Sequence, residues 1–187
     1  MKRLIGATVV VLAMSQVALS SEYSKVNGSI SIAVGETVDS ASTVNGSIEV
    51  GERAKVGSIR TVNGKLNISA GAAVGGNLTN VNGTIEIEKS QIKGKITTVN
   101  GDLTVGAGAQ VNGGILYKKP GMSWGPSGRP PRVIIGPDAV VGATLVFERT
   151  VELFVSESAK IGPVTGATPF DSRAPHHPDD ATLNGGL

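Results

Sequence analysis

Polar and apolar residues alternate in short segments along this chain, and the alternation recurs with a nearly constant period. In one repeat, Ser47–Val50 places an apolar residue at every second position, as in a strand with one buried face. Two more short segments of this character follow, Ala54–Val56 and Ser58–Val62, and Gly51 and Gly57 separate the three. The pattern predicts three short β-strands and three turns in each repeat, and no helix.

The tripeptide Val-Asn-Gly marks the repeat most clearly, because it occurs five times. Its asparagines, which recur at nearly equal intervals, are Asn27, Asn45, Asn63, Asn82 and Asn100. Asn-Gly favours a turn, since both residues tolerate positive φ. Self-similarity at such a period is typical of solenoid proteins. We predict that the five asparagines stack as an amide ladder at one corner of the repeat; a binding row of exposed asparagines is the alternative.

A column of aliphatic residues shows how many repeats the chain contains. Its members are Ile32, Val50, Ile68, Ile87, Val105, Ile135 and Val155. The step from Val105 to Ile135 is much longer than the others and corresponds to one ordinary repeat plus an insertion. In a stack of such repeats, backbone groups pair with the coils above and below, and the aliphatic columns fill the interior. The fold class predicted is all-β, a single-stranded triangular parallel β-helix (β-solenoid) of about seven coils.

Three segments depart from the repeat. Residues 1–20 combine two cations, an apolar run and small residues before Ser21, as a cleaved secretory signal peptide does. Residues 117–132 hold four of the chain's nine prolines and its one Trp, which predicts an inserted Pro/Gly-rich loop. Residues 163–187, also rich in proline, are predicted to form a disordered C-terminal tail. The solenoid is predicted to span residues 21–162.

The N-terminal segment also predicts where the protein acts. An uncleaved membrane anchor is the alternative for residues 1–20, but their apolar run is shorter than the roughly 20 residues that a spanning helix needs. A cleaved signal predicts a periplasmic or secreted protein with no stable membrane span.

Composition and charge argue against two classes of protein. The chain has 17 basic and 15 acidic residues, and two of the cations, Lys2 and Arg3, lie in the predicted signal. The remaining charges balance and are scattered, whereas nucleic-acid binding needs a clustered basic surface. The absence of Cys excludes a disulfide framework, so packing alone must hold this exported chain together. Only six aromatic residues are present, which suits a narrow tube filled by aliphatic side chains.

Few residues are suited to catalysis. A spacing of three hexapeptides resembles the left-handed helix of hexapeptide acyltransferases and γ-type carbonic anhydrases, which rely on histidines on the coils. The two histidines here, His176 and His177, lie in the predicted tail, where Asp179–Asp180 makes a loose metal site a less favoured alternative. The acidic residues of the repeats occur singly, unlike the paired carboxylates of polysaccharide hydrolases. We therefore predict no enzyme activity, no metal and no cofactor.

The inserted loop is the predicted place for a partner. An aromatic residue among cations on a loop suits stacking on a sugar or contact with an anionic surface. The residues concerned are Trp124, Lys118, Lys119, Arg129 and Arg132. The alternative is that Trp124 folds back and covers the flank of the solenoid.

Two weaker patterns follow from the repeat itself. Thr43, Thr61 and Thr98 form a partial column, but Asn80 interrupts it, which argues against an ice-binding threonine array. Five asparagines match the glycosylation sequon, which matters only in a eukaryotic secretory route. They are Asn27, Asn45, Asn67, Asn77 and Asn82.

Segments such as Val50–Gly57 (VGERAKVG) and Ile135–Gly142 (IGPDAVVG) resemble the repeats of bactofilins, the bacterial polymer-forming cytoskeletal proteins. The resemblance implies a right-handed triangular β-helix without a nucleotide or metal cofactor, which polymerises end to end into filaments. This chain departs from bactofilins, which are cytoplasmic, in its predicted export signal and in the Trp124 loop inside the solenoid.

The sequence thus predicts a non-catalytic exported β-solenoid with a structural or scaffold role in the cell envelope. Self-association through the terminal coils is expected, because end coils expose unpaired strand edges and no amphipathic helix precedes Val26 or follows Ile161. The alternative is a module that binds a glycan or an envelope polymer through the Trp124 loop. An enzyme is the least favoured hypothesis.

Overall fold

A computed structural model describes residues 21–121, 129–167 and 170–171. These residues form 21 β-strands and no helix. The first ten are β1 (Glu22–Asn27), β2 (Ile30–Ile32), β3 (Thr37–Asn45), β4 (Ile48–Val50), β5 (Lys55–Asn63), β6 (Leu66–Ile68), β7 (Ala73–Val74), β8 (Leu78–Asn82), β9 (Ile85–Ile87) and β10 (Gln91–Ile92). The others are β11 (Ile96–Thr98), β12 (Leu103–Val105), β13 (Gln110–Val111), β14 (Ile115–Tyr117), β15 (Arg132–Ile135), β16 (Val140–Val141), β17 (Leu145–Phe147), β18 (Glu152–Val155), β19 (Lys160–Ile161), β20 (Val164–Gly166) and β21 (Phe170–Asp171).

The strands stack in three rows, and every pairing is parallel. The first row is an eight-stranded sheet, β2-β4-β6-β9-β12-β15-β18-β21. A 13-stranded sheet contains the other two rows, which β3 and β5 join. The second row continues through β7, β10, β13, β16 and β19, and the third row contains β1, β8, β11, β14, β17 and β20.

This arrangement confirms the predicted all-β solenoid of about seven turns. We number the coils one to seven by the strand of the first row with which each begins: β2, β4, β6, β9, β12, β15 and β18. Each coil visits the three rows in order, and coils two to six hydrogen-bond to the coils before and after them. The backbone polar groups of these strands are therefore satisfied without a helix or an antiparallel partner.

One turn inside the repeat differs from the prediction. The sequence predicts that Gly57 separates two strands, yet β5 runs without a break from Lys55 to Asn63. Only Gly57 and Ser58 lie between the buried residues Val56 and Ile59, which leaves too few residues for a separate turn. In coil three, by contrast, the residues 75–77 occupy this corner, and β7 and β8 are separate strands.

The core is a continuous column inside the tube, to which each coil contributes six inward positions. In coils two to six these side chains are at most 2% exposed, apart from Ser90 at 7%. Coil two shows the pattern, with inward residues Ile48, Val50, Ala54, Val56, Ile59 and Thr61. Stacked aliphatic side chains of similar shape fill the interior closely, and burial of each contributes about 1.5–3 kcal/mol relative to exposure.

The sixth inward position is polar in the early coils and aromatic in the later ones. It is occupied in chain order by Thr43, Thr61, Asn80, Thr98, Tyr117 and Phe147. The threonine column therefore lies inside the tube, each member at most 1% exposed, and does not form an ice-binding surface. The inserted loop follows Tyr117, whose ring packs on that of Phe147 with centroids 5.8 Å apart.

The insertion leaves the stack in register, because β15 pairs directly with β12 and begins coil six. Tyr117 is the last residue of β14 and Arg132 the first of β15, so the loop spans residues 118–131, slightly less than the predicted 117–132. Its residues 122–128, which include Trp124, lie outside the described residues.

The solenoid also continues past residue 162, its predicted end. Strand β20 pairs with β17 and β21 pairs with β18. Pro163 does not stop the stacking, because its carbonyl faces the preceding coil and accepts a hydrogen bond from Leu145 N at 2.9 Å. Proline has no N–H to donate to a following strand, but it keeps this acceptor, so it is tolerated at the edge of a sheet. The predicted signal peptide, residues 1–20, and residues 172–187 of the predicted tail lie outside the described residues.

Candidate functional site

The five asparagines of the Val-Asn-Gly repeats form one row of hydrogen bonds on the outside of the solenoid. In each pair the amide nitrogen Nδ2 of the later asparagine donates to Oδ1 of the earlier one. The Nδ2–Oδ1 distances are 3.0 Å for Asn45 to Asn27, 3.0 Å for Asn63 to Asn45, 2.9 Å for Asn82 to Asn63 and 2.9 Å for Asn100 to Asn82. An amide carries two N–H groups, so the row uses only one of the two in each of the four donating asparagines.

From Gly46 onward, the stacking requires the glycine that follows each ladder asparagine. A Cβ atom on Gly83 would lie 2.2 Å from the carbonyl oxygen of Gly64, and one on Gly101 would lie 2.1 Å from that of Gly83. Both glycines also have positive φ, 125° and 114°, which L-residues with a side chain rarely adopt. The close approach of glycine backbones at this corner brings successive asparagines within hydrogen-bonding distance.

An arginine from coil six ends the ladder. The residue at the ladder position is Asn100 in coil four, Lys119 in coil five and Arg149 in coil six. The ladder position of coil five lies within the inserted loop, which leaves this corner open. Arg149 Nη1 fills it, since it donates to Asn100 Oδ1 and, at 3.0 Å, to the carbonyl oxygen of Val99. The guanidinium thus donates where the amide of a sixth asparagine would.

Asp102 and Glu152 hold the end of the inserted loop. Arg129 makes two hydrogen bonds to Asp102, at 3.1 Å and 2.5 Å, and the backbone N–H of Arg132 donates to the same carboxylate at 2.9 Å. Arg132 Nε donates to Glu152 Oε2 at 3.0 Å. Two of the four cations of the predicted binding site are therefore paired with carboxylates of the solenoid itself.

The other cations lie at the beginning of the loop. The side chains of Lys118 and Lys119 are exposed, and the backbone N–H of Lys119 donates to Glu148 Oε2 at 3.1 Å. The loop is thus attached to the solenoid at both ends, by Glu148 where it leaves and by Asp102 where it returns. Trp124, the aromatic residue of the predicted site, lies outside the described residues.

The two arginines that bind the end of the loop to Asp102 also change the pKa of this carboxylate. Partial desolvation raises the pKa of Asp102, but the hydrogen bonds from Arg129 and from the backbone of Arg132, together with both positive charges, outweigh it and lower the pKa below its usual value. Burial, and then the negative charge of Asp102, raise the pKa of Tyr117. The Tyr117 hydroxyl therefore stays protonated and donates to the carbonyl oxygen of Gly101 at 3.0 Å.

The two ends of the solenoid are built differently. Tyr23 stands in register with the buried Ala41, and its hydroxyl donates to Glu36 Oε1 at 2.6 Å. The side chain reaches from the third row to the corner between the first two rows, across the first coil. Lys25 lies beside it and donates to the carbonyl oxygen of Ser29 at 2.7 Å. The sequence predicts no cap here, since it lacks an amphipathic helix, whereas the structure covers this end with an aromatic side chain.

The hydrogen bond between Tyr23 and Glu36 shifts the pKa of both groups. The hydrogen bond from Tyr23, followed by one from the Ala33 N–H, lowers the pKa of Glu36. The hydrogen bond to Glu36, and then its negative charge, raise the pKa of Tyr23. At neutral pH the phenol is thus a donor and the carboxylate an acceptor.

At the other end, apolar residues remain uncovered. Three inward residues of coil seven, Val155, Ala159 and Ile161, are only partly buried. Val164 of β20, which stands in register with the fully buried Leu145, is 37% exposed. This end of the tube therefore presents core side chains to solvent.

A shallow hollow of about 450 Å³ lies on the outer surface of coils three to five. Its carboxylates already have partners, since Glu86 pairs with Lys65 at 2.7 Å and Glu88 accepts a hydrogen bond from the Ala70 N–H at 3.0 Å. Within the described part of the chain, no three His, Cys, Asp or Glu side chains are grouped to hold a metal ion. That part also contains no helix long and apolar enough to cross a membrane.

Sequence reasoning missed the partners that hold the loop and end the ladder. Arg149, Glu148 and Glu152 carry no motif and lie far along the chain from the residues they contact. The long step from Val105 to Ile135 is the sequence signal that could have found these contacts. When the insertion is left out of the alignment of repeats, these three residues fall in the coil next to the corner that the loop interrupts.

Comparison of the chain with protein-family models, with curated proteins and with solved structures gives no match.

Proposed function

We propose that this chain is a non-catalytic β-solenoid with a structural or scaffold role, which self-associates through its last coil. The observation that supports this proposal is the difference between the interior and the end of the tube. Inward side chains of coils two to six are almost fully buried, whereas Val164, at the end, is 37% exposed. A second copy stacked on this end would bury the apolar side chains that the chain itself leaves uncovered.

Strand edges support the same interface. Strands β19 and β20 end the 13-stranded sheet, and β21 ends the eight-stranded one. Unpaired edges of this kind serve as templates for strands of another chain. The first end of the tube is less suited to stacking, because Tyr23, Lys25 and Glu36 lie across it and hydrogen-bond there.

The proposal also covers the cross-section and handedness of the solenoid and the cellular location of the protein. A triangular cross-section agrees with the three rows of strands, and a right-handed coil is what the resemblance to bactofilins implies. Export by residues 1–20 would place the solenoid in the periplasm or outside the cell, as a component of the envelope. A bactofilin-like protein in that location is an exported relative of the cytoskeletal family rather than a cytoskeletal element.

Sedimentation velocity and electron microscopy of residues 21–187 test the interface. We expect oligomers or filaments for the wild-type chain and a shift towards monomer for Val164→Asp, because the new carboxylate would be buried between two copies. Val26→Asp is the matched control, since Val26 is 67% exposed and lies on β1 at the other end. Circular dichroism checks that both variants fold.

A wild-type chain that stays monomeric at every concentration would contradict the proposal. It would favour the alternative function, a module that binds a glycan or an envelope polymer through the inserted loop. The exposed side chains of Lys118 and Lys119 and the fixed ends of the loop agree with that alternative. The pairing of Arg129 and Arg132 with carboxylates makes it the weaker one.

A further inference from the structure

The dipeptide Asn-Gly occurs seven times in this chain, and it is the sequence most prone to deamidation. In this reaction the backbone nitrogen of the glycine attacks the side-chain carbonyl carbon Cγ of the asparagine. Glycine permits the attack because it has no side chain to obstruct it. The reaction therefore requires that the glycine N–H is available and that the asparagine amide is able to move towards it.

Neighbouring coils hold both groups at four of the ladder positions. The asparagine amide lies in the ladder, and the glycine N–H donates to the carbonyl oxygen of the next asparagine in the row. The N–O distances are 2.8 Å for Gly28 to Asn45, 2.9 Å for Gly46 to Asn63, 3.0 Å for Gly64 to Asn82 and 3.2 Å for Gly83 to Asn100. Attack on Cγ would break both bonds, so the fold protects Asn27, Asn45, Asn63 and Asn82.

The pair Asn112–Gly113 stands at another corner, between the second and third rows. The side chain of Asn112 is exposed. Among the described residues, neither its amide nor the N–H of Gly113 takes part in a hydrogen bond, although the backbone N–H of Asn112 donates to Ile92 O at 2.9 Å. The same dipeptide thus has both reacting groups engaged at the ladder and both available here.

We propose that Asn112–Gly113 is a site of imide formation and deamidation in the folded chain, whereas the ladder asparagines resist the reaction. This inference is independent of the proposed scaffold role.

The step needs water as its only co-reactant. A bond forms between Gly113 N and Asn112 Cγ, the Cγ–Nδ2 bond breaks, and Nδ2 leaves as ammonia with the proton that Gly113 N gives up. Water then opens the five-membered imide. Addition at Cγ yields aspartate, and addition at the backbone carbonyl carbon yields isoaspartate. No group is oxidised or reduced.

The surroundings tolerate the new charge. Lys93 holds the corresponding corner position in the preceding coil, because Ile92 pairs with Val111. Its side chain is exposed, and an aspartate at position 112 would stand beside this cation. Deamidation therefore adds a negative charge at this corner without placing it in the core.

Asn100–Gly101 is an intermediate case. Gly101 N–H donates no hydrogen bond within the described residues, because the loop has removed the next corner of the stack. The amide of Asn100 is nevertheless held from both sides, by Asn82 and by Arg149. We expect Asn100 to deamidate faster than the other four ladder asparagines and more slowly than Asn112.

Peptide mapping by mass spectrometry tests the proposal on the wild-type full chain. The folded protein is incubated at mildly alkaline pH, and aspartate and isoaspartate are measured at each Asn-Gly pair. We expect Asn112 to react at least about tenfold faster than Asn27, Asn45, Asn63 or Asn82, since opening two hydrogen bonds of about 1 kcal/mol each raises the barrier there. In the urea-unfolded chain the rates should become similar.

Equal rates at Asn112 and at the ladder positions in the folded chain would overturn the inference. So would a difference that persists in urea, because the sequence rather than the fold would then set the rates. Asn112→Gln is the matched variant, since a glutamine forms the corresponding ring far more slowly. It should abolish the aspartate and isoaspartate found at position 112 by peptide mapping, while the circular dichroism spectrum stays unchanged.

Discussion

At the scale of a single residue, Asn80 is the position that fits the repeat least well. Thr43 and Thr61 donate to glycine carbonyls of the preceding corner at 3.1 and 3.2 Å. Asn80 Nδ2 donates to the equivalent carbonyl oxygen, that of Gly64, only at 3.5 Å. It donates at 2.9 Å to Gly83 O, which is the acceptor that the same pattern assigns to Thr98. Asn80 Oδ1 and Thr98 Oγ1 are both left buried without a partner among the described residues.

We predict that Asn80→Thr stabilises the protein. A threonine would restore the column, free Gly83 O for Thr98 and remove the buried unpaired Oδ1. The free energy of unfolding, measured with urea, is expected to rise by about 1–3 kcal/mol. Thr61→Asn is the control and should lower it. A less stable Asn80→Thr variant would mean that the volume of the asparagine matters more than its unpaired oxygen.

At the scale of elements, the amide ladder joins successive coils by hydrogen bonds between asparagine side chains. Each asparagine after Asn27 donates to the one before it, so the row ends in a side-chain carbonyl oxygen, Asn100 Oδ1, at the level of the insertion. Arg149 donates to that oxygen and to Val99 O. A cation suits this end, because hydrogen bonds from a charged donor are stronger than those from a neutral one.

Removal of the guanidinium should weaken this end of the ladder. We predict that Arg149→Ala lowers the free energy of unfolding by about 1.5–3 kcal/mol, as for a hydrogen bond to a charged group. It should also speed deamidation at Asn100, whose amide would lose one of its two restraints. Arg60→Ala is the matched control, since Arg60 is exposed and makes no side-chain hydrogen bond within the described residues. Equal effects of the two substitutions would contradict a specific role for Arg149.

At the scale of the whole molecule, the insertion is accommodated without a change in the stack. Strands β12 and β15 pair residue by residue across it, from Leu103–Val133 to Val105–Ile135. Carboxylates of the solenoid bind the two described ends of the loop, and exposed ion pairs contribute little to stability. The stack of coils, rather than the loop, therefore determines the fold.

The loop should be replaceable by an ordinary corner. We predict that a chain in which Val-Asn-Gly replaces residues 118–131 folds to the same β-solenoid, with a gain of about 1 kcal/mol from the shorter connection. Thermal unfolding followed by circular dichroism measures this. Val-Asn-Ala at the same place is the control and should be less stable, because a Cβ at this corner overlaps the preceding coil, as at Gly101. Equal stability of the two variants would mean that the new corner does not stack.

The sequence by itself determined the repeat, the three strands of each coil and the row of asparagines, because stacked parallel strands impose one period on all of them. Alternation within Ser47–Val50 and the spacing of the Val-Asn-Gly tripeptides carry that information locally. The uninterrupted β5 escaped prediction, since the number of residues between Val56 and Ile59 decides whether a turn forms.

Only the tertiary structure decided which residues at non-equivalent positions of the repeat meet across coils. Asn100 and Arg149 contact each other 49 residues apart, and Asp102 and Arg129 do so 27 residues apart. Neither separation equals the period, since the inserted loop lies between the partners, and the period predicts contacts only between equivalent positions. The tertiary structure also turned the threonine column inward and placed Tyr23 over the first coil, because the side of a strand that faces the core depends on its register with the neighbouring strands.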